Sequence, residues 1–153
     1  MRLILDRDPA FWSRVNEHPE VNPHTTLGQT DYDLPAFINN PRVTPLRSTN
    51  GGILLVDLDG AGQVVELHIM FTPEGWGREA LMALTAAVEW AFGSGAQVIT
   101  TYQARGTSRW TPPASFRFQQ AGEFQLHAAL GVELRSWVLT KRAWETSPAY
   151  RRR

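Results

Sequence analysis

Val64-Val65-Glu66-Leu67-His68-Ile69-Met70-Phe71-Thr72-Pro73-Glu74-Gly75-Trp76-Gly77-Arg78-Glu79-Ala80-Leu81 decides the fold of this chain. In its first part, a period of two puts Val65, Leu67, Ile69 and Phe71 on one face of a strand and Val64, Glu66, His68 and Met70 on the other. The first face is core. The second holds two titratable groups two residues apart and reads as the wall of a site. Pro73, Gly75 and Gly77 end the strand, and the period then changes. Leu81, Leu84, Val88 and Phe92 form a helical stripe, while Ala80, Ala83, Ala87 and Ala91 let that helix lie close to a sheet. A strand, a glycine-bearing turn and a helix start leave main-chain N–H groups without intrahelical partners. Pointing out of the helix end, they suit phosphate oxygens.

Working outward, residues 53–58 form a strand, 59–62 a turn and 63–71 the returning strand, so an antiparallel hairpin is expected. Gly93-Ser94-Gly95 ends the helix and 96–102 is the next strand; strand, helix and strand predict a right-handed crossover between parallel partners. Residues 112–122 read as a short helix with a prolyl start and a glycine stop. Residues 124–130 and 132–140 read as a closing strand pair about Gly131. Upstream, 2–5 suits a first strand, Asp8-Pro9 starts a helix over 10–17, and Asp33 caps another within 33–40. Five prolines (Pro19, Pro23, Pro35, Pro41, Pro45) keep regular structure short between 19 and 45. The expected fold class is α/β in the mixed, α+β sense. One domain spans 1–153, with a mostly antiparallel central sheet, one parallel βαβ crossover, flanking helices, and an N-terminal helical part over 1–50.

The 153 residues suit one domain, and 15 basic against 15 acidic residues give no net field to attract nucleic acid. The run Arg151-Arg152-Arg153 is expected to be a solvated tail. The chain has no cysteine, which excludes disulfides, thiolate metal sites and a thiol nucleophile. No apolar run reaches membrane-span length, and Asp6, Arg7 and Asp8 interrupt any signal-peptide core, so a soluble, cytoplasmic protein with no membrane partner is expected. His18, His24, His68 and His127 lack ligand spacing, and no metal is expected. Gly75-x-Gly77-x-x-Ala80 fits a dinucleotide fingerprint. However, the next strand ends in Thr100-Thr101-Tyr102-Gln103, with no acidic residue to hold a ribose.

The order of elements, with three motifs, resembles the GNAT family of acyl-CoA-dependent N-acyltransferases. Pro73-Glu74-Gly75-Trp76-Gly77-Arg78 is similar to the family's pyrophosphate loop. Thr111-Pro112-Pro113-Ala114-Ser115 through Ala121-Gly122-Glu123-Phe124 is similar to the helix that ends in its Gly-Phe. Trp137-Val138-Leu139-Thr140-Lys141-Arg142-Ala143-Trp144 is similar to its last strand. The resemblance covers roughly 51–144. It departs at Glu79, where Gly or Ala is usual and a carboxylate would repel pyrophosphate. It departs again at Phe118, where many members carry a proton-donating Tyr, and at Thr111, where Asn is frequent.

The resemblance implies acetyl-CoA as a substrate and an amine of unknown identity as acceptor. Its cofactor-binding positions fall on Met70, Phe71, Gly75, Trp76, Gly77 and Arg78, with the oxyanion donor a main-chain N–H near Met70 or Phe71. Acyl transfer needs a base for the ammonium and a proton for the thiolate. Glu66 is the candidate base, directly or through a water, with burial beside Val64 raising its pKa. His68 shares its face and reads as a hydrogen-bonded core histidine. Ser115 and Tyr102 are the hydroxyl-bearing candidates for the thiolate. The alternative is a GNAT-fold chain, similar to phage-encoded ones, that has lost catalysis and serves as a binding or virion-associated assembly module. A homo-oligomer or a protein assembly partner would go with it.

Overall fold

The computed structural model describes residues 1–26, 32–106 and 110–153. The N-terminal part contains β1 (Ile4–Leu5), α1 (Pro9–Asn16), α2 (Asn22–Thr26), α3 (Leu34–Asn39) and β2 (Val43–Arg47). Next come β3 (Gly51–Asp57), β4 (Val64–Phe71), a 3-10 turn at Pro73–Gly75, α4 (Arg78–Gly93) and β5 (Val98–Ala104). The remainder is a 3-10 turn at Ala114–Phe116, β6 (Gln119–Gln120), β7 (Gln125–His127), β8 (Val132–Thr140), α5 (Lys141–Glu145) and α6 (Pro148–Arg152). One sheet runs β1-β2-β3-β4-β5-β8-β6, with β7 also on β8. Every neighbouring pair is antiparallel except β4 and β5. This is the mixed, mostly antiparallel sheet with one parallel crossover that the sequence predicts.

The two periods read from the sequence place two cores. Val65, Leu67 and Phe71 of β4 pack with Ala83, Leu84, Ala87, Val88, Ala91 and Phe92 of α4 on one side of the sheet. Met70 joins Leu54 and the α1–α3 residues Phe11, Trp12, Val15, Leu34 and Ile38 on the other. Leu81, expected in the buried stripe, is instead 47% exposed, because the sheet no longer lies beneath the first turn of α4. Asp8 and Asp33 cap α1 and α3 by accepting from the N–H groups of Ala10 and Ala36.

Three expectations need correcting. β2 is not among the strands expected from the sequence; it is short, begins at the end of the proline-rich stretch and contains Pro45. Along an antiparallel strand a residue's N–H and C=O point to the same side. Pro45 accepts from Asp6 N–H, so its missing donor faces the two-residue edge strand β1 and costs no bond to β3. The helix expected over 112–122 is a single 3-10 turn. Arg117 stops it in the left-handed region at φ 68°, and β6 follows. Phe118 is therefore not on a helix; it stacks with Phe116 in the core. Finally, the arginine tail is not simply solvated. Most of it lies in α6, and Arg153 pairs with Glu89 of α4 and sits over the Tyr150 ring.

Gly75 is fixed by packing. A Cβ there would lie 2.6 Å from Phe71 Cδ1 and 3.0 Å from Asn50 Cβ. Gly75→Ala is expected to destabilise the fold by roughly 1–3 kcal/mol through overpacking, measurable as a lower urea midpoint with an unchanged m-value.

Candidate functional site

β4 and β5 pair over only three residues: Val64 with Val98, Val65 with Ile99 and Glu66 with Thr100. Both strands continue beyond this point. β4 stays on β3 as far as Phe71 opposite Gly51, and β5 stays on β8 as far as Ala104 opposite Leu134. The parallel pair thus opens into a V. At its apex the buried Thr101 hydroxyl donates to Leu67 C=O at 2.8 Å, satisfying the first carbonyl left without a ladder partner.

The pairing phase tells which main-chain groups face the V. Thr72 N–H donates to Asn50 C=O and Leu58 N–H to Val64 C=O, so even-numbered residues of β4 bond to β3. The N–H and C=O of Leu67, Ile69 and Phe71 therefore face the opening. Met70, an expected donor, directs its main chain at β3. Trp76 Nε1 donates to Phe71 C=O at 3.1 Å, folding the indole back over the wide end of the V.

The V is a cavity of about 760 Å³. Its walls include Leu67, Ile69 and Phe71 with Ala80, Leu81 and Leu84 on the α4 side, and His68 and Met70 with Val21, Thr25 and Phe37 on the other. Side chains from both faces of one strand can line one cavity only where the sheet is open. The cavity is a passage from one face to the other.

At the wide end stands α4, whose N-cap is Gly77 at φ 80°, ψ −113°, with no side-chain cap. α1, α3, α5 and α6 are capped by Asp8, Asp33, Thr140 and Ser147. A side-chain cap is worth about 1 kcal/mol, and the longest helix forgoes it. Nothing lies within 4 Å of where a Gly77 Cβ would be, so the side-chain space at the N-cap is open. Trp76 and Gly77 line the cavity there, and Arg78 beside them is exposed.

Glu79 does not face that space. Its Oε1 accepts from Ser48 Oγ at 2.5 Å and from Asn50 N–H at 2.9 Å, and its Oε2 from Asn50 Nδ2 at 2.8 Å. The carboxylate ties the first turn of α4 to the β2–β3 turn. Burial alone would raise its pKa, but these hydrogen bonds outweigh it and hold the group below the usual carboxylate range.

On the opposite face, Glu66 and His68 form a pair, His68 Nε2 lying 2.6 Å from Glu66 Oε1. His68 lines the cavity and Glu66 does not. The Glu66 side chain is 15% exposed, against 41% for His68. Burial pushes the Glu66 pKa up, yet the hydrogen bond and charge of His68, with a contribution from Tyr102, bring it below the usual range. The expected upward shift is reversed. Tyr102 lines the cavity on the same face, and its phenol is pushed up by burial and by the Glu66 charge, so it keeps its proton. Ser115 is not among the lining residues. Of the expected site residues, Met70, Phe71, Trp76, Gly77 and Tyr102 line the cavity, Glu66, Gly75 and Arg78 are each next in the chain to a lining residue, and Ser115 does not line it. The lining also includes His68 and Ile69. His68 was legible as Glu66's face-mate; Ile69 needed the phase of main-chain pairing.

Among the described residues no three His, Asp or Glu converge as a metal site, and no helix is long and apolar enough to cross a membrane.

No protein-family model and no curated protein matches the sequence. Solved structures do match. A probable acetyltransferase of the GNAT family from Chromobacterium violaceum aligns with a TM-score of 0.69 at 17% identity, covering 94% of this chain and 89% of that one. FeeM, an N-acyl amino acid synthase from uncultured soil microbes, aligns at 0.67 and 13% identity, with 95% and 94% covered. A mutant spermidine N-acetyltransferase from Vibrio cholerae aligns at 0.65 and 12%, with 95% and 96% covered. The chain has the fold of the GNAT acetyltransferases.

The Glu79 clamp has a pH signature. Its folded pKa lies below its unfolded value, so the stabilisation is complete above the unfolded pKa and is lost as pH falls through the folded one. Glu79→Gln is expected to cost about 1–2 kcal/mol at neutral pH. The difference from wild type should shrink below about pH 4, read from urea melts across pH.

Proposed function

We propose that this chain is an acyl-CoA-dependent N-acyltransferase, with acetyl-CoA as the acyl donor. The observation that carries the proposal is the V between β4 and β5 leading to the uncapped N-terminus of α4. A pantetheine arm needs a slot with free main-chain groups, and a pyrophosphate needs unpaired N–H donors where the slot ends. The first-turn amides from Gly77 onward hold the pyrophosphate, Arg78 adds charge at the rim, and Trp76 covers the arm. Glu79, turned onto Ser48 and Asn50, is no obstacle. The open passage favours catalysis over a binding or assembly module, in which side chains would have no reason to leave the V unfilled.

His68 is the general base. With Nε2–H donating to Glu66, Nδ1 is left as the acceptor for the amine proton, and the carboxylate stabilises the imidazolium that forms. Glu66 itself, with a lowered pKa and a place behind His68, orients rather than abstracts. The freed amine attacks the thioester carbon. Ile69 or Phe71 N–H, facing the V, donates to the oxyanion. The proton His68 takes from the ammonium passes to solvent, and the attacking nitrogen gives up a second proton to His68 as the intermediate collapses. The C–S bond then breaks, Tyr102 supplies the thiolate proton and is reprotonated through Glu66 and His68 by that second proton.

Calorimetry with CoA and acetyl-CoA tests the proposal directly. Saturable binding is expected, weakened at least about tenfold by Gly77→Glu, which puts a carboxylate before the amides. No heat and no thermal shift at millimolar ligand would overturn it. His68→Ala should leave CoA binding unchanged while lowering turnover by roughly 10²–10⁴-fold, measured as thiol release with a panel of primary amines.

A further inference from the structure

Resting on the acyltransferase reading above, we propose that the acceptor is a primary amine carried on an apolar, ring-bearing skeleton, with no acidic group beside the nitrogen. The half of the passage on the α1–α3 side sets this chemistry. None of the described residues lining the cavity is Lys or Arg. The titratable groups facing this half are Glu20, His68, Tyr32 and Tyr102, with Glu66 directly behind His68. Among the described residues the fixed charges there are negative, those of Glu20 and Glu66.

That arrangement discriminates by distance. An α-amino acid carries its carboxylate one carbon from the amine, so a nitrogen placed at His68 keeps the carboxylate inside the cavity beside that residue. It would be desolvated there without a cation and within the field of Glu66. A simple amine with the same ring system meets neither cost, and as an ammonium it arrives in a favourable field. The walls suit such a skeleton. Val21, Leu54 and Met70 are buried apolar surface. Phe37 stands edge-on to the His68 ring, with centroids 6.2 Å apart, and Tyr32 lies against Phe37 at 6.0 Å. These three rings lead toward the base. The Tyr32 phenol is pushed up by burial.

Tryptamine and tryptophan differ by only that carboxylate, and spermidine replaces the ring with further positive charges. Binding of all three is measured calorimetrically on the full chain, with and without saturating CoA, and acetylated product is followed by mass spectrometry. Tryptamine is expected to bind at least about tenfold more tightly than tryptophan and to be the better acetyl acceptor. Phe37→Arg, a half-buried position at the passage wall, should narrow or invert that ratio. Equal or tighter binding of tryptophan, tighter binding of spermidine, or no binding of tryptamine overturns the inference. The CoA titration reads the acyltransferase proposal separately. A chain that binds CoA but shows no preference for tryptamine loses only the acceptor assignment, and one that prefers tryptamine but ignores CoA loses the reaction.

Discussion

The site depends on the parting of β4 from β5 after Glu66 and Thr100. A sheet that opens in its middle exposes main-chain donors and acceptors on both lips, and such groups are costly unless something satisfies them. Here each lip belongs to a complete antiparallel partnership on its other side, β4 with β3 and β5 with β8. Each half keeps its ladder while the two diverge. Thr101 takes the carbonyl at the apex and Trp76 the one at the wide end. Between them, Ile69 retains a donor and an acceptor facing the opening.

The mouth of α4 follows the same logic with charge in place of hydrogen bonds. A helix N-terminus with no cap attracts any nearby anion, including an acidic side chain of its own first turn. Glu79 could have filled that role. It is drawn sideways by three donors from Ser48 and Asn50, so the carboxylate braces the helix against the β2–β3 turn and leaves the axial approach clear. A residue that looks hostile to phosphate in the sequence is compatible with it once its direction is known.

This contrast marks what a sequence can show. The alternation through Val64–Phe71 and the stripe on α4 are local periodicities that burial enforces, so the strand, the helix, their faces and the parallel crossover were all readable. β2 was hidden because Pro45 looks like a strand breaker; only the position of the edge strand makes its missing N–H harmless. The helix expected across 112–122 failed for the opposite reason. Its prolines and Gly122 are genuine stop signals, but Arg117 in the left-handed region ends the turn early, and Phe116 and Phe118 are more useful as a stacked pair in the core. At the candidate site, the sequence places Glu66 and His68 on one face of the strand, but which of them meets the cavity depends on side-chain direction, and it is His68 that does. The failure of Ser115 to reach the opening has the same origin as the missing helix.

The passage between the two faces also constrains the order of events. Reactants that enter a slot from opposite sides do not compete for one entrance, and neither must leave before the other arrives. For the proposed acyl transfer, a sheet open in this way favours a ternary complex with direct transfer over a double displacement in which the protein carries the group, and no cysteine is present to carry it. Under that proposal initial-rate plots intersect, and a single ligand that joined both reactants would span the sheet from face to face.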